Sequence, residues 1–220
     1  MLELVAFDIE TTGFTAEDEI TVAGFAVPLG VRVFCQTDTA ASRIEADVEA
    51  VVEATVQVST HPSEAALLDA MTGFVADRFV DAEVLVVAYN GETWRGGFDL
   101  PVLRTRLAEA AKPWPFRDVP YADLLPIVKT QFNTATGQAD ADDATDLETV
   151  YEALCGGEYG ALDPFDDSAD AVDAFEAGQY TDLVLHNVAD VLRTRALGRL
   201  AQRYCSKADF DVKSLTPVEP

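Results

Sequence analysis

The chain has 220 residues, and at ~100–200 residues per domain that length predicts one domain with room for a sizeable core. Its 39 acidic residues against 15 basic ones give a formal net charge of −24 and a pI near 4.1. Hydrophobic residues make up 49% of the chain, which excludes a disordered acidic chain, because such chains carry too little apolar surface to offset the entropy of ordering. The charge also excludes nucleic-acid binding by bulk electrostatics, so any polyanion has to be gripped locally.

The acids are dispersed from Glu3 to Glu219 and Lys is scarce. Carboxylates of this kind hold hydration in molar salt, where a Debye length of ~3 Å at 1 M removes most of their repulsion; an acidic interaction surface is the rival reading. The start MLELVAFDIE has no basic leader and no small-residue cleavage site, and no apolar run approaches the ~18 residues of a membrane span. A cytoplasmic protein without membrane contact is expected. Cys35, Cys155 and Cys205 are odd in number and form no CxxC pair, so neither a disulfide-linked partner nor a structural zinc is expected and all three read as small buried hydrophobes.

In chain order, residues 2–7 read as a β-strand ending at acids, and residues 20–27 and 31–34 as two more joined at Pro28-Leu29-Gly30, giving a three-stranded meander. Residues 44–57 and 64–79 are amphipathic and Ala-rich and predict helices. Residues 84–88 (VLVVA) predict a buried central strand. A helix over 100–111 follows, with Asp99 as its N-cap and Pro101 in the first turn. Residues 112–120 are a Pro-rich connection and 133–145 a polar acidic loop. The next helix opens on Thr145-Asp146-Leu147-Glu148, a capping-box pattern, and stops at Gly156-Gly157. The last, about 181–204, carries Leu185, Val188, Leu192, Ala196 and Leu200 on one stripe. The pattern predicts one α/β domain with helices covering a central sheet over residues 1–205, and a C-terminal tail over 206–220. The acidic stretch 139–182 reads as an insertion, a partner surface or a solvated exterior, and the sequence does not choose among them.

The chemistry gathers at the end of the first strand. In Phe7-Asp8-Ile9-Glu10-Thr11-Thr12-Gly13 the two acids stand two residues apart and so share one face of a strand. Adjacent carboxylates raise one another's proton affinity, and they are exposed, share a proton or bind cations; hard divalent ions suit them.

The run FDIETTGF resembles the first motif of the DEDD superfamily of 3'-to-5' exonucleases, whose domains are ribonuclease H-like. Tyr89-Asn90-Gly91 followed by Phe98-Asp99-Leu100-Pro101-Val102-Leu103 is similar to the second motif, with Asp99 as the third carboxylate; plain helix capping is the competing role for Asp99, and both can hold. In the third motif the final Asp follows a Tyr by four residues or a His by five. Here His186 precedes Asp190 by four, so the frame is of the tyrosine type with histidine in the tyrosine slot. The run Asp190-Val191-Leu192-Arg193-Thr194 resembles predicted exonucleases related to the proofreading domain of family B polymerases, and the acidity resembles that of halophilic archaea.

The resemblance implies an α/β ribonuclease H-like mixed sheet flanked by helices, and two-metal hydrolysis of phosphodiesters at single-stranded DNA or RNA 3' ends with two Mg²⁺ or Mn²⁺. Asp8, Glu10, Asp99 and Asp190 would hold the metals. His186 would orient or deprotonate the attacking water; the competing role is that of a half-buried helix residue paired with Asp190 or Asp182. Thr11, Thr12, Gly13, Phe14, Asn90, Gly91, Trp94, Phe98 and Arg193 are the candidate nucleic-acid contacts, with Phe14 and Trp94 placed to stack on a terminal base. Most of the basic residues follow the second and third motifs, Arg193 being nearest to one, and none lies between Gln131 and Val191; paired, solvated helix faces are the competing account. The alternative function is a catalytically weak domain of the same fold that binds nucleic acid or protein. If the dispersed acids serve solubility in salt, activity requires high salt to keep the chain folded although salt weakens phosphate contacts. An activity titration in KCl checks this, and an optimum at low salt would contradict it.

Overall fold

The computed structural model describes residues 2–80, 82–92, 98–135, 144–157, 159–165 and 169–218. The chain opens with strands β1 (Glu3–Thr11), β2 (Ile20–Val27) and β3 (Gly30–Gln36), then α1 (Ala41–Glu49), β4 (Val56–His61), α2 (Glu64–Arg78), β5 (Val84–Ala88) and α3 (Asp99–Glu109). It continues with β6 (Pro120–Asp123), α4 (Leu124–Gln131), α5 (Leu147–Leu154), α6 (Asp170–Glu176), α7 (Tyr180–Tyr204) and β7 (Lys213–Ser214). The seven strands form one mixed sheet in the order β4-β3-β2-β1-β5-β6-β7. The meander β1-β2-β3 is antiparallel, β4 joins β3 in parallel, β5 and β6 extend the other side in parallel, and β7 closes the edge antiparallel to β6.

The alternation of β1 sorts the core. Val5, Phe7 and Ile9 point to the face covered by α2 and α3, where Phe25, Phe34, Leu68, Met71, Leu103 and Phe116 fill one apolar cluster. Leu4 and Ala6 point to the opposite face, where the cluster includes Val184, Val188 and Val191 of α7 with residues from α1, α4 and α5. Asp8 and Glu10 continue that second face by the period of two. The central helix α7 is therefore packed against the strand that carries both acids.

Several expectations are corrected. The helix over 44–57 ends at Glu49, and Val56 and Val58 alternate as the edge strand β4. Glu45 and Glu49 of α1 accept hydrogen bonds from the Val58 and Val56 N–H groups, which covers an edge that would otherwise be open. Asp146, not Thr145, caps α5, accepting from the Thr149 N–H at 2.8 Å. The segment 206–220 is more than a tail, since β7 completes the sheet. Of the cysteines only Cys35 is buried, its thiol pushed up to about 12 by desolvation; Cys155 is exposed and Cys205 half-buried, and all three are free. The strand β6 and the helices α4 and α6 had no sequence counterpart. Among the described residues, no helix is long and apolar enough to cross a membrane.

One buried ion pair ties the layers behind the first strand. Arg106 of α3 donates in a bidentate fork to Glu64 of α2 at 2.8 and 2.7 Å, and Glu64 also accepts from the Ile20 N–H that starts β2. Arg106 further donates to the Ala16 carbonyl, so the 12–19 loop is held by the same guanidinium. Arg106 also pairs with the exposed Glu109, so truncating Glu64 removes its buried bidentate partner but not its last one, at a cost below the ~3–5 kcal/mol of a fully orphaned buried charge. Glu64→Ala is expected to lower the urea midpoint accordingly, and a loss under about 1 kcal/mol would contradict a buried pair.

Candidate functional site

Four carboxylates from three elements line one cavity of about 220 Å³: Asp8 and Glu10 from β1, Asp99 from the first turn of α3 and Asp190 from α7. His186, Thr11, Phe14, Tyr89, Asn90 and Phe98 line it too, with Ala171 and Val172 of α6 on the remaining side. The structure thus brings together all five residues singled out for catalysis.

Each element delivers its acid for a local reason. The β1 strand runs on to Thr11, so Asp8 and Glu10 stand on a rigid strand rather than in a loop. Asp99 is not the N-cap of α3; Phe98 holds that position without a side-chain cap bond, and the Asp99 carboxylate is turned inward and buried. It accepts from the Ile9 backbone instead. Gly91 makes this inward turn possible, since a Cβ there would lie 2.6 Å from Asp99 Oδ2 and 2.7 Å from the Ala88 Cβ. Asn90, in the left-handed region at φ 60°, donates its N–H to Asp123 at the end of β6 and accepts from the Phe98 N–H. Asn tolerates that conformation better than most residues, which suits it to this bend.

The electrostatics follow from burying like charges together. Asp8 and Asp99 are pushed well above the usual carboxylate range, first by desolvation and then by the surrounding acids, Glu10 prominent among them; Glu10 and Asp190 are raised as well, again chiefly by burial. Among the described residues no Lys or Arg pairs with Asp8, Glu10 or Asp99. The neutral amide of Asn187 serves them instead, Nδ2 donating to Asp8 at 2.8 Å and to Glu10 at 3.4 Å. Asn187 is fully buried beside Gly24, which is paired with Asp8 across the β1–β2 ladder, and a Cβ at position 24 would overlap the Asn187 side-chain oxygen.

His186 sits with Nε2 at 3.8 Å from Glu10 and 3.9 Å from Asp190, while Nδ1 is hydrogen-bonded to Asp163 at 2.7 Å. Burial alone would lower its pKa, but Glu10, the Asp163 hydrogen bond and Asp190 outweigh it and push the ring up to about 10. Asp163 was missed in the sequence, hidden among the acids of 139–182. Asp163, His186 and Asp190 present ligand atoms within 4.8 Å of one another, but Arg193 Nη1 already donates to both carboxylates, at 3.0 and 3.1 Å, so the cation at that point is the guanidinium.

This corrects the reading of Arg193 as a phosphate contact: its side chain is 2% exposed and spent on Asp163, Asp190 and the Tyr159 and Gly160 carbonyls. Other basic residues near the motifs are likewise engaged, Lys112 with Asp69 and Lys213 with Glu92. Thr11 and Phe14 line the cavity, whereas Thr12 and Gly13 do not and instead shape the loop that follows. Thr11 Oγ1 donates to the Gly13 carbonyl, and Thr12 Oγ1 donates to Asp18 while accepting from the Glu19 N–H. Gly91 stands behind Asp99 rather than at the surface, and Trp94 lies outside the described residues. Phe14 is exposed and meets Phe98 edge to face at 5.4 Å, forming an apolar lip.

No family model matches the chain, and no curated protein matches it in sequence.

The raised carboxylates yield a stability test. Each binds its proton more tightly when folded, so its contribution is present in full below the unfolded value near ~4 and is lost as pH rises through the raised value. Asp99→Asn, which keeps an acceptor for the Ile9 N–H and removes one of the crowded charges, is expected to stabilise the cation-free protein by about 0.5–2 kcal/mol near pH ~8 and by much less near pH ~5. Melting temperatures in EDTA at the two pH values check this; destabilisation at the higher pH would contradict like-charge crowding.

Proposed function

We propose that the chain is a divalent-cation-dependent 3'-to-5' exonuclease acting on single-stranded nucleic-acid ends, built on a ribonuclease H-like sheet. The observation that carries this reading is the convergence of Asp8, Glu10, Asp99 and Asp190, far apart in sequence, on one cavity faced by His186 Nε2.

The donor set suits two Mg²⁺ or Mn²⁺ ions. All four groups are hard oxygen ligands, they raise one another's proton affinity, and for Asp8, Glu10 and Asp99 the described residues supply no compensating Lys or Arg. When bound, such ions neutralise this charge, lower the pKa of a water and stabilise the leaving oxygen of an in-line displacement. The chain's own groups do the rest. Asn187 holds the Asp8 and Glu10 side chains in register through its two donated hydrogen bonds. His186, on α7 and thus on a rigid support, presents Nε2 toward the acids; with its ring pushed up to about 10 it is a donor that orients the attacking water. It takes that water's proton only once its own Nε2 proton has left, which bound cations would favour by relieving the surrounding negative charge. The Phe14–Phe98 lip offers an aromatic face to a splayed terminal base, a contact every base can make.

A binding module of weak activity is the second reading, favoured by one observation: Asp190 is ion-paired with Arg193, which competes with a cation for that carboxylate. A 5'-labelled single strand, DNA or RNA, incubated with Mg²⁺ or Mn²⁺ in multimolar KCl separates the two. A ladder of shortened products is expected, reduced by on the order of 10³-fold in Asp8→Asn, or about 4 kcal/mol of barrier, and abolished by EDTA. Strand retention without shortening would favour the module, and an undiminished Asp8→Asn rate would reject the nuclease site.

A further inference from the structure

Asp163 lies in the chain between α5 and α6, outside the three motifs, yet its side chain is only 6% exposed. One carboxylate oxygen meets His186 Nδ1 at 2.7 Å and accepts the Phe165 N–H at 3.1 Å; the other accepts from Arg193 Nη1 at 3.0 Å. Arg193 also donates to the Tyr159 and Gly160 carbonyls, so one buried guanidinium fastens the 159–163 segment to α7. The Phe165 ring lies against the imidazole, centroids 5.3 Å apart. The imidazole is thereby held at Nδ1 by Asp163 and along one side by Phe165, while Nε2 faces Glu10 and Asp190.

A helix-borne histidine without such a hold can turn its ring over and exchange the nitrogen it presents, which a tyrosine in the same slot cannot do. An anionic acceptor on Nδ1 removes that ambiguity, because it retains the proton there and fixes the other nitrogen toward the reacting atoms. Resting on the nuclease reading above, we propose that Asp163 is a positioning residue that lets histidine serve in the tyrosine slot, with Arg193 as the anchor of its loop. Part of the acidic stretch 139–182 is then a component of the site, since it supplies both Asp163 and the Ala171–Val172 wall.

The chain has two histidines, so ¹⁵N-histidine labelling gives two resolvable rings, and the other, His61, is paired with Ser59 on β4. In wild type the His186 Nδ1 proton is expected to be strongly deshielded and slow to exchange. Asp163→Ala is expected to lose that resonance and to lower kcat by on the order of 10²-fold with KM nearly unchanged. Asp163→Asn, which keeps a neutral acceptor and the side-chain shape, is expected to recover part of both and serves for the comparison if the alanine variant fails to fold. Glu148→Gln, which removes the exposed partner of Arg193 at 3.6 Å, is expected to leave both intact. A resonance insensitive to Asp163→Ala, or a loss confined to KM, would overturn the proposal. An Asp163-dependent resonance in a wild type that shortens no strand supports the pairing and rejects the nuclease reading instead.

Discussion

Gathering four carboxylates in one small cavity is the constraint on which the surrounding structure depends. Charges this close cannot all ionise cheaply in a low-dielectric setting, and the neighbouring residues are arranged around that cost. Asn187 gives Asp8 and Glu10 neutral donors where a lysine would have cancelled the charge. Gly24 leaves the space that the Asn187 amide occupies, and Gly91 leaves the space for Asp99 to turn inward. Arg193 meets the cluster only at its outer member, Asp190, and from the side shared with Asp163. The net result is a cavity whose acids hold protons tightly and are open to neutralisation by bound cations, His186 and Arg193 being the charged groups beside them.

The helix α7 makes this arrangement rigid. It is buried on nearly all sides between Leu183 and Gly198 because β1, β2, α1, α5 and α6 pack around it. Helix surfaces repeat at three and four residues, so His186, Asp190 and Arg193 fall on one side, while Asn187 is rotated toward β1 and Gly24. Consecutive residues of one helix thus address the two halves of the cluster, and a small rotation of α7 would misplace all of them together. The single-stripe expectation for this helix missed that role: polar residues in the enclosed stretch of a helix look, in sequence, like a solvent-facing side.

The strands that order the site were the most legible part. The period of two carried on past the expected strand at 2–7 correctly set Asp8 and Glu10 on one face, although the strand itself runs to Thr11, and the VLVVA run correctly indicated a central strand. Asp99 was placed near its true position but with the wrong local role, because an acid before a Pro-containing helix start reads as a cap whether its carboxylate bonds to the helix or points away. Arg193 was misread because proximity to a motif does not tell burial. Asp163 was invisible for the opposite reason: in a chain so rich in surface acids, an acid that is buried and paired has the same signature as its solvated neighbours. The β4 strand was lost in a helix pattern because Ile44 and Val48 establish a helical spacing that Val52 continues by chance, and only the alternation of Val56 and Val58 departs from it.

The net charge of −24 accordingly contains two populations that respond to different ions. Acids on the surface feel a solvent in which molar monovalent salt cuts the Debye length to ~3 Å, and bulk salt relieves their repulsion. In the cavity Glu10 and Asp99 are buried and Asp8 and Asp190 half-buried, and charges buried in this way are screened far less. Monovalent salt in bulk therefore cannot do for Asp8, Glu10 and Asp99 what it does for the exterior; relief there needs either protons, which the raised pKa values register, or ions bound in the cavity itself. On the proposed function, Arg193 is spent on Asp163 and, among the described residues, no Lys or Arg lines the cavity to grip phosphate there. A substrate's negative charge would then be met chiefly by the site-bound ions, so that the groups that cut the strand also supply most of its attraction.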